Sequence, residues 1–456
     1  MDLPLIVSTS GIRGIVGEGI TPEVVSRLAA SYATTLRHRR VVLGSDTRPS
    51  REMCRHAVLA GLISTGCEII DIGICPTPSV QIMVDKCEAG GGIAITASHN
   101  PVHWNALKLF NENGLFLSHN QLERILNIYH QSLSRVTEGG IKRASFSRLG
   151  KVREEHSTFD VHIEKILQGL NVGLIRKKKF RIALDCVNGA GSIITPIFLR
   201  ELNCTITAIN TNPREDFPHP PEPSPKNLQQ LSSLVREGRF DAGFAQDPDA
   251  DRLAIVTEGG IALSEECSIV LATIAVLEEK RGAVVVNLST TRAIDDIAAA
   301  FGCPVFRSRI GERNVVTAMK RHRAVIGGEG SGGVIYPRVH YARDSMVAIG
   351  LILQHMAGSG RKLSEIVASH PRYHLIKQYI LCAPEKKEKL LADLKEQLKG
   401  ERLDVRDGIK IIRKDSWAHI RSSKTEPAIR ILAEAPTKRG ANELFNFIVD
   451  KIEMPD

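Results

Sequence analysis

Short apolar runs alternate with amphipathic stretches along most of the chain, and the alternation repeats three times. The first repeat predicts strands over Val41–Leu43, Cys67–Ile72 and Ile93–Ala97. The second predicts Arg181–Leu184, Cys204–Ile209 and Phe240–Ala245, and the third Ala283–Val286, Cys303–Phe306 and Arg323–Ile326. Gly66, Asn203 and Gly302 each stand immediately before a second strand, where a helix C-terminus favours such residues. The helices between are legible too. Thr21-Pro22 reads as an N-cap with proline at the first helical position, followed by a stripe of Val25, Leu28, Ala29, Tyr32 and Leu36. Ser118 opens a second such helix, with Leu122, Ile125, Leu126, Tyr129 and Leu133 on one side. Near Pro371 the pattern changes to strand, helix, several strands, helix, with stripes at Leu391, Leu394 and Leu398 and at Leu444, Phe445, Ile448 and Ile452, and a tight turn at Asp407-Gly408. The prediction is an α/β protein: three related α/β/α units with mixed sheets, residues 1–150, 151–256 and 257–369, and a C-terminal α+β unit, residues 370–456.

Composition narrows what such a fold does. The 456 residues are 43% hydrophobic and 24% charged, enough to bury a sizeable core in each unit. The net charge of +9 suits nucleic acid or small anionic substrates such as sugar phosphates. Nucleic acid is the poorer match, because aromatics are only 5% and basic residues are scattered. The one basic run, Arg176–Lys179, reads as a solvated domain edge. Nine cysteines occur singly with no CxxC pair, which speaks against a zinc site or a disulfide framework and for a reducing, cytoplasmic setting. No apolar run is long enough to span a membrane, and Met1-Asp2-Leu3-Pro4 does not resemble a signal sequence.

Ligands of such folds gather beyond the carboxyl ends of the strands, and there the repeats carry their unusual residues. The first repeat ends in Thr96-Ala97-Ser98-His99-Asn100-Pro101, where a serine presented at a strand end can carry a phosphoryl group; the alternative is a polar turn. The second ends in Asp247-Pro248-Asp249-Ala250-Asp251-Arg252. Three alternating carboxylates converge on one hard cation, Mg²⁺ or Ca²⁺, if the backbone curves; otherwise they form a charged surface turn. Arg252 stands where an EF-hand loop needs glycine, which excludes that calcium loop. The third ends in Gly327–Gly333, five glycines with Glu329 and Ser331 as the side chains able to read sugar hydroxyls; a flexible turn is the alternative. In the fourth unit Arg421-Ser422-Ser423-Lys424-Thr425-Glu426-Pro427, with Arg430 beyond, offers the donors a dianionic phosphate needs, or else forms a solvated basic loop. The simplest chemistry that uses all four is relocation of a phosphoryl group within a sugar phosphate.

In order and content, Thr96–Pro101, Asp247–Arg252, Gly328–Gly332 and Arg421–Pro427 resemble the four signature loops of the α-D-phosphohexomutase superfamily. Its members include phosphoglucomutase, phosphomannomutase and phosphoglucosamine mutase. Ser10–Gly14, Asp46-Thr47-Arg48, Asp185–Gly191 and Pro220–Pro223 add to the resemblance, which covers essentially the whole chain. The resemblance implies a heart-shaped, four-domain enzyme around a central cleft. It implies that Ser98 is the phosphoserine, and that Asp247, Asp249 and Asp251 hold a single Mg²⁺ that also touches Ser98. Arg252 would lie beside that site. Glu329 and Ser331 would bind sugar hydroxyls, and Arg421, Ser423, Thr425 and Arg430 the non-reacting phosphate. Arg13, Lys108 and His99 are its candidates for orienting phosphate or shuttling protons, Lys108 ahead of His99. The resemblance implies a sugar bisphosphate as primer and an enzyme that would act as a monomer or homodimer.

Three departures from the pattern stand out. Asn105-Ala106 replaces an Asn-Gly and asks for a less strained turn, and Lys424 replaces a Gly or Asn in the phosphate loop. Gly333 follows Gly332 where many bacterial members place histidine, a double glycine like that of archaeal phosphoglucosamine mutases. The leading expectation is therefore conversion of glucosamine 6-phosphate to glucosamine 1-phosphate. The rivals are a broad-specificity phosphomannomutase/phosphoglucomutase, a Mg²⁺-dependent sugar phosphatase and a sugar-phosphate sensor.

Overall fold

The three repeats fold into three sheets that share one strand order. A computed structural model describes residues 5–133, 140–383, 386–422 and 428–453. In the first unit the shared order is Glu68–Ile74, Arg40–Ser45, Gly91–Ile95, Trp104–Phe110. In the second it is Thr205–Ile209, Arg181–Asp185, Ala242–Gln246, Leu253–Thr257, and in the third Val305–Ser308, Val284–Asn287, Ile326–Glu329, Gly333–Ile335. The first three strands of each set are parallel and the fourth is antiparallel. The three signature loops therefore occupy one topological place, the turn between the third strand and its antiparallel neighbour.

Local chemistry explains the elements. The Thr21 hydroxyl caps the helix Pro22–Thr35, and Ser118 with Gln121 forms a capping box on His119–Gln131. Gly66, Asn203 and Gly302 all adopt positive φ before their strands, which begin one or two residues after the expected cysteines. Three expectations need correction. Arg323 is not strand: it closes the helix Glu312–His322 in left-handed conformation, and the strand Ile326–Glu329 takes up the first half of the glycine run. Asn105-Ala106 is not a turn but lies within the strand Trp104–Phe110. Lys151–Glu154 pairs with Glu68–Ile74, so the first sheet, widened also by Gly11–Ile15 and Ile6–Ser8, runs past residue 150.

Helices Glu266–Glu279 and Ser345–Ser359 are apolar on nearly every side, the pattern of a helix with no solvent face. They lie in one continuous core that joins the second and third units, from Ile163 to Ile366. The first unit has its own cores on the two faces of its sheet. The fourth unit is an antiparallel sheet in the order His374–Leu381, Ala428–Ala435, Trp417–Ser422, Ile409–Ile412, Leu403–Asp404. Helices Lys387–Gln397 and Lys438–Glu453 flank it, and Leu394, Leu398, Leu444 and Ile448 pack against Ile411, Ile420 and Ile431. No helix among the described residues is long and apolar enough to cross a membrane.

The fourth unit meets the third through polar contacts. Lys410 donates to the Leu288 carbonyl, Asp407 accepts the Ile310 N–H at 2.8 Å, and His419 Nδ1 lies 2.7 Å from Ser289 Oγ. His419 Nε2 must carry the ring proton, because it lies 2.5 Å from the Asp407 carbonyl oxygen. Burial holds the His419 pKa down at about 4, and the Lys410 and Arg421 charges add to that. A pKa depressed below the unfolded value of about 6.5 leaves the folded state unwilling to take the proton, so stability is lost as pH falls from about 6.5 to about 4. The expected loss from this residue approaches about 3 kcal/mol. Unfolding midpoints followed against pH should fall less steeply in His419→Gln than in the parent; parallel curves would contradict the assignment.

Candidate active site

Ser98 sits at the end of a fully buried strand, Gly91–Ile95, in left-handed backbone with φ +52°. Such a conformation in a serine persists only where its surroundings over-determine it. Here Arg48 does so. Its guanidinium donates to the carbonyl oxygens of Ser98, Asn100 (2.7 Å), Pro101 (2.7 Å) and Trp104 (3.1 Å), and its Nε to Asp46 Oδ2 at 3.1 Å. Asp46 also accepts from Thr96 Oγ1, which in turn receives the Ser98 N–H at 2.9 Å. Ser98 Oγ is thereby aimed at Asp247 Oδ2, 2.8 Å away, with His99 Nδ1 at 3.4 Å.

The aspartate loop does curve. Ala250 takes positive φ, and Asp247 Oδ1 accepts the N–H groups of Asp251 and Arg252, both at 3.1 Å. All three carboxylates are buried, and one oxygen of each lies within 4.8 Å of the others. Asp249 Oδ1 and Asp251 Oδ1 are buried without a hydrogen-bond partner. Three hard oxygen donors and two orphaned lone-pair sites fit a divalent cation such as Mg²⁺. Burial and the neighbouring Asp249 and Asp251 charges push the Asp247 carboxyl well above its ordinary range, the repulsion that a cation would relieve.

Cations surround this cluster. Lys108, from the strand Trp104–Phe110, is buried and donates to Asp249 and, at 3.1 Å, to Asp251. Burial alone would lower its pKa, but Asp249 and Asp251 outweigh burial and raise it. Thr77 Oγ1 also bonds Asp249. Arg252 Nε stands 3.7 Å from Asp251 Oδ1, and Arg13 donates to Asn100 Oδ1 at 2.9 Å. Burial and the Arg252 charge lower Arg13 to about 10. The Nε atoms of both arginines are buried and unbonded. His99 is kept neutral, first by burial and then by Arg252 and Arg13. Crowded, partly unbonded guanidinium groups beside a serine form a site suited to phosphate.

Glu329 ends the strand Ile326–Glu329. Its Oε1 accepts from Asn287 Nδ2 (2.9 Å) and the Gly311 N–H (2.8 Å), and its Oε2 from Arg343 (2.9 Å). Ser331 follows in the hairpin turn. Gly332, at φ +90°, passes so close to Leu253 that a Cβ would lie 2.5 Å from the Leu253 carbonyl oxygen; Leu253 in turn donates to the Gly332 carbonyl at 3.0 Å. The glycine-rich loop is thus sewn to the strand that follows the aspartates.

In the fourth unit Arg421 and Arg430 stand directly opposite one another on adjacent strands. Like charges so placed repel. Burial and then Arg430 lower Arg421, and both Nε atoms are buried without a partner. Arg430 donates to Tyr379 OH at 2.6 Å and lies over that ring. Ser423, Lys424 and Thr425 lie outside the described residues.

The structure thus brings Ser98, His99, Lys108, Arg13, Arg252 and the three aspartates together, with Glu329 joined to them through Arg343. Sequence reasoning gave no role to Arg48, Thr77 or Arg343. A signal existed for Arg48, an arginine two residues after Asp46 at a strand end. Arg343 had none, because its partners come from three distant segments.

The chain is similar to known proteins over nearly its whole length. Family models described as phosphoglucomutase/phosphomannomutase alpha/beta/alpha domains I, II and III match residues 4–135, 160–260 and 265–373, and the C-terminal domain model matches 380–451. A Thermococcus kodakarensis protein named phosphoglucomutase/phosphomannomutase is 35% identical over 98% of both chains. A Methanopyrus kandleri protein named "Probable phosphoglucosamine mutase" is 34% identical over 97% of this chain and 96% of its own. A crystal structure of a phosphoglucomutase/phosphomannomutase family protein from Burkholderia thailandensis superposes with a TM-score of 0.83 at 21% identity, covering 98% of both chains. The Aspergillus fumigatus N-acetylphosphoglucosamine mutase, solved with GlcNAc-6P and magnesium, shares the fold at a TM-score of 0.58 and 14% identity, covering 98% of this chain and 95% of its own.

Proposed function

We propose, from the premise that this chain belongs to the phosphoglucomutase/phosphomannomutase family, that it moves a phosphoryl group between the 6- and 1-positions of a hexose phosphate, with glucosamine 6-phosphate to glucosamine 1-phosphate as its principal reaction. The observation that carries the reading is Ser98 Oγ, 2.8 Å from Asp247 within a buried triad of carboxylates. In the forward half-reaction the bond from phosphorus to Ser98 Oγ breaks and a bond to the substrate hydroxyl oxygen forms. The hydroxyl proton leaves to a base, and the product is a bound sugar bisphosphate. The bisphosphate turns over, its other O–P bond breaks as a bond to Ser98 Oγ forms, and the freed sugar oxygen takes the proton back from the base, so no group is gained or lost. A trace of sugar bisphosphate primes the serine.

Asp247, Asp249 and Asp251 would hold Mg²⁺, which when bound would supply neutralisation of phosphoryl-oxygen charge. Arg13 and Arg252 bind the transferring phosphate, and Arg421, Arg430, Ser423 and Thr425 the non-reacting one. Glu329, whose Oε1 is already saturated by two donors, reads a sugar hydroxyl through Oε2, with Ser331 beside it. His99 and Lys108 flank the proton path: His99 Nδ1 faces Ser98 Oγ, and Lys108 sits among the carboxylates. The mixed naming of the relatives supports one further reading, a mutase that accepts glucose and mannose phosphates as well.

Phosphorus NMR separates these. The protein would receive Mg²⁺, a trace of bisphosphate and equal pools of glucosamine, glucose and mannose 6-phosphates. Selective growth of glucosamine 1-phosphate is expected. Comparable growth of glucose and mannose 1-phosphates would replace that reading with the broad one, and inorganic phosphate alone would make the protein a phosphatase.

A further inference from the structure

Arg343 spends every guanidinium nitrogen on a carboxylate, and the three carboxylates come from three places. NH2 donates to Asp251 Oδ2 at 2.6 Å, NH1 to Glu329 Oε2 at 2.9 Å and Nε to Glu312 Oε2 at 3.2 Å. Asp251 belongs to the aspartate loop and Glu329 to the hydroxyl-reading loop. Glu312 opens the helix Glu312–His322 and is itself held by Gln81 Nε2 at 3.0 Å, from the first unit. A guanidinium is planar and rigid, so it holds its partners in fixed relation to one another.

The surroundings are built for this side chain. Gly333 lies against it, and a Cβ there would come within 2.3 Å of Arg343 Cδ, so the double glycine leaves room for the arginine to cross. The backbone is anchored next door. Asp344 caps the helix Ser345–Ser359 through the Met346 and Val347 N–H groups, and its other oxygen lies 2.7 Å from His162 Nε2 and 2.9 Å from His340 Nε2. Arg343 is therefore poorly able to swing away.

We infer that Arg343 is a positioning residue: it registers Glu329 against the aspartate triad, and its charge keeps the affinity of that triad for a divalent cation moderate. The inference rests on the reading of Asp247, Asp249 and Asp251 as a cation site. Two consequences follow with opposite signs. Without the guanidinium the sugar-reading carboxylate loses its register, so turnover falls. A positive charge beside Asp251 is also removed, so the cation binds more tightly. Damage to the site of a merely structural kind would weaken both.

The test is Mn²⁺ binding to the full chain, followed by titration calorimetry without sugar, alongside steady-state kinetics. Arg343→Met should bind Mn²⁺ at least about tenfold more tightly than the parent, with kcat reduced at least about tenfold and KM raised. Arg343→Lys keeps the charge but not the fork, so it should bind Mn²⁺ as the parent does and recover only part of kcat. If the methionine variant fails to fold, Arg343→Gln, which removes the same charge but keeps an amide donor for the carboxylates, replaces it. Unchanged or weaker Mn²⁺ binding in the folded variant overturns the inference about Arg343 alone, provided that Asp247→Asn abolishes binding in the parent background. Parent binding that Asp247→Asn leaves intact overturns the cation reading, and the inference with it.

Discussion

Ser98→Ala is expected to abolish mutase turnover, by at least about 10⁴-fold, while leaving the fold in place. The loss is large because the reading leaves no second route. Without the serine oxygen no covalent phosphoryl carrier exists, and the bound sugar phosphate can neither receive nor return a group. The fold survives for local reasons. Alanine tolerates the φ of +52° about as well as serine does, and the N–H of residue 98 still meets Thr96 Oγ1. Arg48 still binds the carbonyl of residue 98. What is lost is the hydrogen bond to Asp247, worth about 1 kcal/mol, and the longer contact with His99 Nδ1. Intact-mass measurement after incubation with a sugar bisphosphate provides the check. The parent should gain the mass of one phosphoryl group and the variant none. Turnover by the variant at the parent rate, or a phosphoryl group on it, would remove Ser98 from the mechanism.

Arg48→Met is the second large effect, and it touches stability as well as rate. Arg48 is 1% exposed and serves four carbonyl oxygens and one carboxylate. Methionine fills most of the volume but donates nothing. Asp46, already pushed upward first by burial, would lose the cation that opposes that push. Removing one partner of a buried ion pair costs roughly 3–5 kcal/mol. The loop carrying Ser98 would then relax from its strained conformation, so kcat should fall at least about tenfold even where the protein stays folded. Denaturant unfolding and kinetics on the same sample read both quantities. Adding Asp46→Asn should restore part of the stability and little of the rate. A stability loss under about 1 kcal/mol with normal kcat would show that the loop holds itself.

The contrast between Ser98 and Arg48 marks how far sequence reading reaches. Ser98 was legible because an apolar strand ends abruptly on a hydroxyl and proline forbids its continuation. The aspartates were legible for a similar reason: carboxylates at alternate positions after an apolar strand have few bland uses. The glycine run looks like loop throughout, yet Gly327, Gly328 and Gly333 are strand. Glycine has no side chain to report a period, so pattern alone does not separate the two. Asn105-Ala106 misled in the opposite way, since the resemblance supplied a turn where the pairing with Gly11–Ile15 imposes a strand.

Periodicity, caps and left-handed helix ends are properties of neighbouring residues, and from them the chain by itself determined three related α/β units, an α+β unit and the loops at their strand ends. Long-range contacts carry no such local trace. Only the tertiary structure decided that Lys108 lies among the aspartates, that Arg48 clamps the serine loop and that Arg343 joins the aspartates to Glu329. Each of these is a buried cation with partners on strands or loops far along the chain, and Arg48 alone among them also pairs with a near neighbour, Asp46. Burial makes their pairing obligatory, and the choice of partner is made by which strands and loops the packed sheets bring together.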